Sequence, residues 1–297
     1  MRRGRRQNGS MVLMLGLISE IALGNGPVSG RDEVAMVARI YARAGSGHRS
    51  QAALYLCGLH GEHRHKLSMA GPLVYKVMWR DHDRLVWLTG VTEKDGSESN
   101  QQDEYNIRTG KLSREKIMAV DGALWDRSEG QFKQETEAYD STDKAHPGRF
   151  GWTGAHEGWG YTVNGKTTAI GADILSPRGM IFEPAKNRLW YRDWTHNSTD
   201  GSWNAVYRFD WVSRKPHLIF DGADSFDFTP DRKIYAAVAT RNLATIQGRK
   251  RVWVANAWLG NWETGKRWTI LNGLAYATSI AIRPGSPPKR IAHLATH

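Results

Sequence analysis

The sequence predicts an all-β protein, a single β-propeller of five or six four-stranded blades, and three observations carry that expectation. Gly71, Gly122, Gly171, Gly222 and Gly273 recur at steps of about fifty residues, the mark of a repeat array. Upstream of each stands an aromatic in a short strand-like run: Tyr55, Tyr105, Tyr161, Tyr207 and Trp253. Beyond most of the glycines the chain alternates apolar and polar residues, turns through Pro, Asp and Lys, and alternates again, as in SFDFTPDRKIYAAVATR (225–241). Each unit therefore holds four strands. Because such a unit buries its faces only against its neighbours, the array should close into a ring.

At the amino terminus, MRRGRR precedes the apolar run MVLMLGLI (11–18) and then Ala22-Leu23-Gly24. A basic segment, a short apolar segment and small residues read as an export signal cleaved after Gly24, which makes the chain periplasmic or secreted. The alternative is that residues 11–18 form an inner strand of the first repeat, which leaves the protein in the cytoplasm. Residues 31–297 form the propeller.

First strands of the units stand in LVYKVMW (73–79), GMIFEP (179–184), SFDFTP (225–230) and TSIAIRP (278–284). Second strands follow in EVAMVARIYA (33–42), RLVWLTG (84–90), RLWYRDW (188–194), KIYAAVATR (233–241) and RIAHLATH (290–297). Short turns join them, and RTGK (108–111) and ETGK (263–266) join third to fourth strands. A five-bladed ring would pair carboxy-terminal strands one and two with amino-terminal strands three and four. A six-bladed ring would take residues 11–18 as an inner strand or remain incomplete, in a chain truncated at His297. The third unit departs from the pattern, with residues 136–159 reading as a long polar loop.

The net charge of +11 owes much to the tail, where Arg2, Arg3, Arg5 and Arg6 cluster. Elsewhere basic and acidic residues mix through the turns, so no nucleic-acid footprint is legible. The 13 tryptophans read as packing between blades, and the single cysteine, Cys57, as a buried hydrophobe. Asp81-His82-Asp83 resembles a set of metal ligands, but its counterparts in the other units are ordinary turn residues. His60, His63 and His65 likewise fall in a solvated turn. No metal, cofactor or catalytic motif is expected, and no Gly-x-Ser-x-Gly elbow is present.

The segment 225–241 and YNIRTGK (105–111) resemble the TolB-like and related bacterial β-propeller repeats. The resemblance implies binding of a protein or peptide on the ring face or along the channel. The chain is then a monomeric, non-catalytic binder of a protein, peptide or glycan. Loops from strand two to three and junctions from strand four to one emerge on one face, where connectors 91–102, 140–158, 195–203 and 242–250 fall. The binding residues expected there are Trp125, Trp152, His156, Arg178, His196 and Asp224. The alternative is a propeller hydrolase, a glycosidase or lactonase, using Asp121, Asp173 and Asp224 at the axis.

Overall fold

The computed structural model describes residues 33–41, 51–67, 69–71, 73–96, 98–117, 123–127, 129–134, 138–152, 159–169, 178–195, 203–239, 242–246 and 250–285. Along the chain run β1 (Val34–Ile40), β2 (Ala53–Cys57), β3 (His65–Lys66), β4 (Val74–Trp79), β5 (Arg84–Thr92), β6 (Glu98–Asn106) and β7 (Lys111–Ile117). There follow β8 (Ala123–Asp126), β9 (Gln131–Gln134), β10 (Ala138–Asp140), β11 (Arg149–Trp152), β12 (Trp159–Val163) and β13 (Lys166–Ala169). Then come β14 (Arg178–Glu183), β15 (Arg188–Thr195), β16 (Trp203–Asp210), β17 (Lys215–Asp221), β18 (Ala223–Phe228) and β19 (Ile234–Ala239). The last are β20 (Asn242–Ile246), β21 (Lys250–Val254), β22 (Ala257–Asn261), β23 (Arg267–Leu271) and β24 (Ala275–Ile282). Among the described residues there is no α-helix, only a 3-10 turn at Pro184–Lys186.

The repeat becomes a series of sheets. Four are four-stranded, in the orders β24-β1-β2-β3, β4-β5-β6-β7, β10-β11-β12-β13 and β18-β19-β22-β23. The fifth, β17-β16-β15-β14-β8-β9, is six-stranded because β8 pairs in parallel with β14, Trp125 opposite Ile181 and Asp126 opposite Phe182. The sixth contains only β20 and β21.

The two parts of the chain meet where β24 pairs antiparallel with β1, from Val34 opposite Ile282 to Ile40 opposite Ala275. One carboxy-terminal strand thus joins three amino-terminal ones, rather than two joining two. Burial explains the division: Val34 to Ala38 are fully buried, and β1 completes its ladder only with β2 on one edge and β24 on the other. Residues 11–18 and 290–297 lie outside the described residues.

Three connectors expected as loops contain strands. β10 and β11 lie within 136–159 because Tyr139 and Phe150 pack with Tyr191, Phe209, Tyr161 and Trp211 in one aromatic cluster. β5 and β6 run on to pair Thr92 with Glu98, leaving only 93–97 between them. β20 and β21 turn 242–250 into a hairpin.

Tryptophans do fill the core: Trp79, Trp87, Trp125, Trp190 and Trp211 are all buried, and Tyr235, Trp258, Trp262 and Phe220 pack together where sheets meet. Each large apolar side chain so buried contributes about 1.5–3 kcal/mol. Cys57 is buried as well.

Three of the third-to-fourth strand turns share one device. Asn106, Asp210 and Asn261 each accept hydrogen bonds from the backbone N–H groups two and three residues on, at 2.8–3.1 Å. Each turn then passes through a positive φ, at Gly110, Arg214 and Gly265. The periodic glycines serve a different corner. Gly222 (φ 73°) and Gly273 (φ 76°) turn the chain from a fourth strand into a first, whereas Gly71 does not adopt a positive φ. Gly122 and Gly171 lie outside the described residues.

Candidate functional site

β14 runs from Arg178 to Glu183, so its two ends mark opposite faces of the sheet stack. At the Arg178 end, Arg178 lies opposite Arg192 of β15 in the ladder. The Arg192 guanidinium reaches across to the neighbouring sheet, with Nη1 3.6 Å from Oδ1 of Asp224 at the start of β18. Both side chains are about one-fifth exposed, so the pair is neither buried nor freely solvated. Gly222 makes this possible, because its left-handed backbone swings the chain from β17 into β18 and sets Asp224 at the rim.

The expected site residues are not all at this rim. Trp125 is 3% exposed, and its ring meets Phe132 edge-on at a centroid distance of 4.9 Å. It is a core residue, with no area left to present to a partner. Trp152 lies in β11, opposite Trp159. His156 and His196 lie outside the described residues, as do Asp121 and Asp173.

The insertion is divided between the faces. Its turn 141–148 packs on the far end of β14, where the Thr142 N–H donates to Asn187 Oδ1 (2.8 Å) and the Thr142 hydroxyl to the Pro184 carbonyl (2.6 Å). His146 is held there by Asp143. That part belongs to the face of short turns, not to the face of Arg178.

On the short-turn face, a set of arginines links successive sheets, and sequence reading missed it. Arg283, just after β24, donates from Nε to the His82 carbonyl at 2.6 Å. Arg80, just after β4, donates from Nε to the Gly130 carbonyl at 2.7 Å and pairs with Glu104. Arg127, just after β8, donates to the Phe228 carbonyl at 2.9 Å and pairs with Asp227. Asp227 in turn accepts the Ile282 N–H at 2.8 Å, which ties β18 to β24. Burial pushes the Asp227 carboxyl above the ordinary carboxylate range, against the opposing pull of Arg127 and of the Ile282 and Phe228 N–H groups. The available signal was an Arg directly after three inner strands, at positions 80, 127 and 283.

A cavity of about 380 Å³ opens on this same face, lined by Asp81, His82, Asp83, Arg84, Asn106 and Arg108. Its acids are engaged by the protein. Asp81 accepts from the N–H groups of Asp83 and Arg84 and from the Arg84 guanidinium, while Asp83 faces His82 at 3.0 Å and Arg108 at 3.5 Å. Burial raises the Asp81 carboxyl, but these donors outweigh it and hold the group below its ordinary value. The exposed turn of His60 and His63 differs: the His60 ring lies 5.9 Å from that of Trp268, and His65 Nδ1 sits 3.0 Å from the His63 carbonyl. Among the described residues, no three His, Cys, Asp or Glu side chains converge to hold a metal.

No family model matches the chain, and no curated protein matches it. Solved structures do. TolB from Acinetobacter baumannii is similar over 88% of this chain and 69% of its own, at 12% identity and a TM-score of 0.51. The β-propeller domain of the Trilobed protease from Pyrococcus furiosus aligns over 67% of this chain and 57% of its own, at 9% identity and a TM-score of 0.29. A puromycin-hydrolyzing peptidase from Mycobacterium tuberculosis aligns over 68% and 32%, at 11% identity and 0.33. Of these three, the TolB likeness alone carries the fold: the chain has a TolB-like β-propeller architecture. Among the described residues no helix is long and apolar enough to cross a membrane.

Proposed function

We propose that this chain is a non-catalytic propeller that binds a protein, peptide or glycan on the face where β14 begins and β18 begins. The sheets are the blades of one ring of five or six units, closed by β24 on β1. The observation that carries the reading is the Arg192–Asp224 pair at the rim. A pair of opposite charges about one-fifth exposed gives a partner both a donor set and an acceptor set with which to fix its orientation. Trp152, Arg178, His156 and His196 complete the surface, with Trp125 omitted because it is buried. The protein acts as a monomer, outside the cytoplasm, after removal of residues 1–24.

A peptide phage-display library and a glycan array, both probed with the full chain, test this reading. The expected result is an enriched ligand whose affinity drops about fivefold or more in Trp152→Ala and in Arg178→Ala. Lys186→Ala, on the opposite face, should leave it unchanged. Turnover of chromogenic glycosides or lactones that disappears in Asp224→Asn would replace the binder with the hydrolase.

A further inference from the structure

The chain leaves β19 at Ala239 and returns at Asn256, where the Ala239 N–H donates to the Asn256 carbonyl at 2.8 Å. Those two residues need nothing more than a turn between them, yet β20 and β21 are inserted there. Ala223 lies opposite Ala239 in the ladder, so the hairpin rises beside Asp224, on the proposed binding face.

Its two sides are unlike. The β21 side is anchored: the Tyr41 hydroxyl donates to the Trp253 carbonyl at 3.0 Å, and Ala255 exchanges hydrogen bonds with Ala275 and Ala277 of β24 at 3.1 Å. The outer edge of β20 has no strand partner among the described residues, since its sheet contains only β20 and β21. A two-stranded ribbon is marginal alone, and an open strand edge is a template for another strand. Trp253, opposite Leu243, is 44% exposed, one of the few large apolar side chains so presented among the described residues. From Asn242 to Val254 the sequence includes Lys250 and Arg251 and no Asp or Glu.

We propose that the β20–β21 hairpin is a docking arm that takes an extended acidic peptide segment as a third strand along β20. Main-chain hydrogen bonds supply the attachment, the basic residues select acidic side chains, and Trp253 supplies apolar area. The inference rests on the binding reading of this face and names the class of partner.

Fluorescence anisotropy of the full chain with a labelled peptide of alternating Glu and Val tests it. Saturable binding is expected, with alternating Glu–Pro and Lys–Val peptides at least about tenfold weaker, because the first lacks half of the N–H donors and the second has the wrong charge. Arg251→Glu and Trp253→Ala should each weaken the Glu–Val peptide about tenfold while keeping the wild-type urea midpoint. Failure of the wild-type chain to bind the Glu–Val peptide overturns the arm. So does equal binding of the Glu–Pro peptide, or displacement by a single-stranded oligonucleotide, since either outcome marks general polyanion attraction. A ligand from the phage library that is lost in Trp152→Ala but kept in Arg251→Glu sinks the arm and leaves the face reading standing.

Discussion

Arg127 and Asp227, 100 residues apart in sequence, form an ion pair on the short-turn face that joins β8 to β18, and the same carboxylate accepts the Ile282 N–H of β24. Three parts of the chain therefore meet on one buried acid. The raised carboxyl of Asp227 says that burial outweighs its partners, so the stability it costs builds as pH rises from the unfolded-state value to the folded-state value and is complete above it.

Breaking that pair should be far worse than replacing it. Arg127→Met leaves a buried carboxylate without its counter-ion and should lower stability by about 3 kcal/mol. The double variant Arg127→Met/Asp227→Leu should recover most of the loss. Urea unfolding of the three proteins at neutral pH decides the matter, and a double variant as weak as the single one would contradict the account.

Gly260 lies where an added Cβ would stand 2.3 Å from the Tyr235 ring, which is itself packed against Trp262 and Trp258. Gly260→Ala should therefore cost about 1–3 kcal/mol through overpacking. Thermal unfolding followed by near-ultraviolet circular dichroism would show both the lower midpoint and the disturbed tryptophan signal.

The hairpin turns allow a comparison at one conformation. Gly265 has φ 66° with open space around it, so Gly265→Ala should lose about 1 kcal/mol from backbone strain alone. Arg214 holds the equivalent conformation at φ 58°, and its guanidinium lies over the Tyr161 ring at 5.3 Å. Arg214→Gly relieves the strain but loses that contact, and the two effects should cancel to within about 0.5 kcal/mol. Chemical denaturation of both variants reads the difference.

Asp210 and Asp231 anchor turns through backbone N–H groups. Burial raises Asp210 first, but the Ser213 and Val212 N–H groups outweigh it; at Asp231 the Thr229 hydroxyl is the main cause. Both carboxyls lie below their ordinary values. A depressed folded-state value means that the stabilisation is complete above the unfolded-state value and is lost as pH falls through the folded one. Stability should hold from neutrality to about pH 5 and decline below about pH 4. In Asp231→Asn the decline should be shallower, as measured by urea midpoints across that range.

The strands and the repeat were legible because alternation has a short period and Asn106, Asn261 and Gly222 stand at recurring positions. Closure was less so: that β1 takes one strand from the far end depends on burial at Val34 to Ala38, which no local pattern states. Trp125 was misjudged because a tryptophan at a strand end looks the same in sequence whether it faces Phe132 or solvent. Asp224 was singled out from its position, but Arg192 was not, since its role depends on a contact between sheets. The arginines at 80, 127 and 283 are scattered in sequence and become a set only when the sheets stand side by side.

Because β24 supplies one edge partner of β1, the sheet that contains β1 is completed only when the chain has been made as far as β24. While the ribosome makes everything from residue 57 to 274, the Val34–Val37 edge has no ladder on that side. An exposed apolar strand edge is the kind of surface on which nascent chains aggregate and to which holding chaperones bind. Until residues 275–282 are made, that sheet therefore stays one strand short.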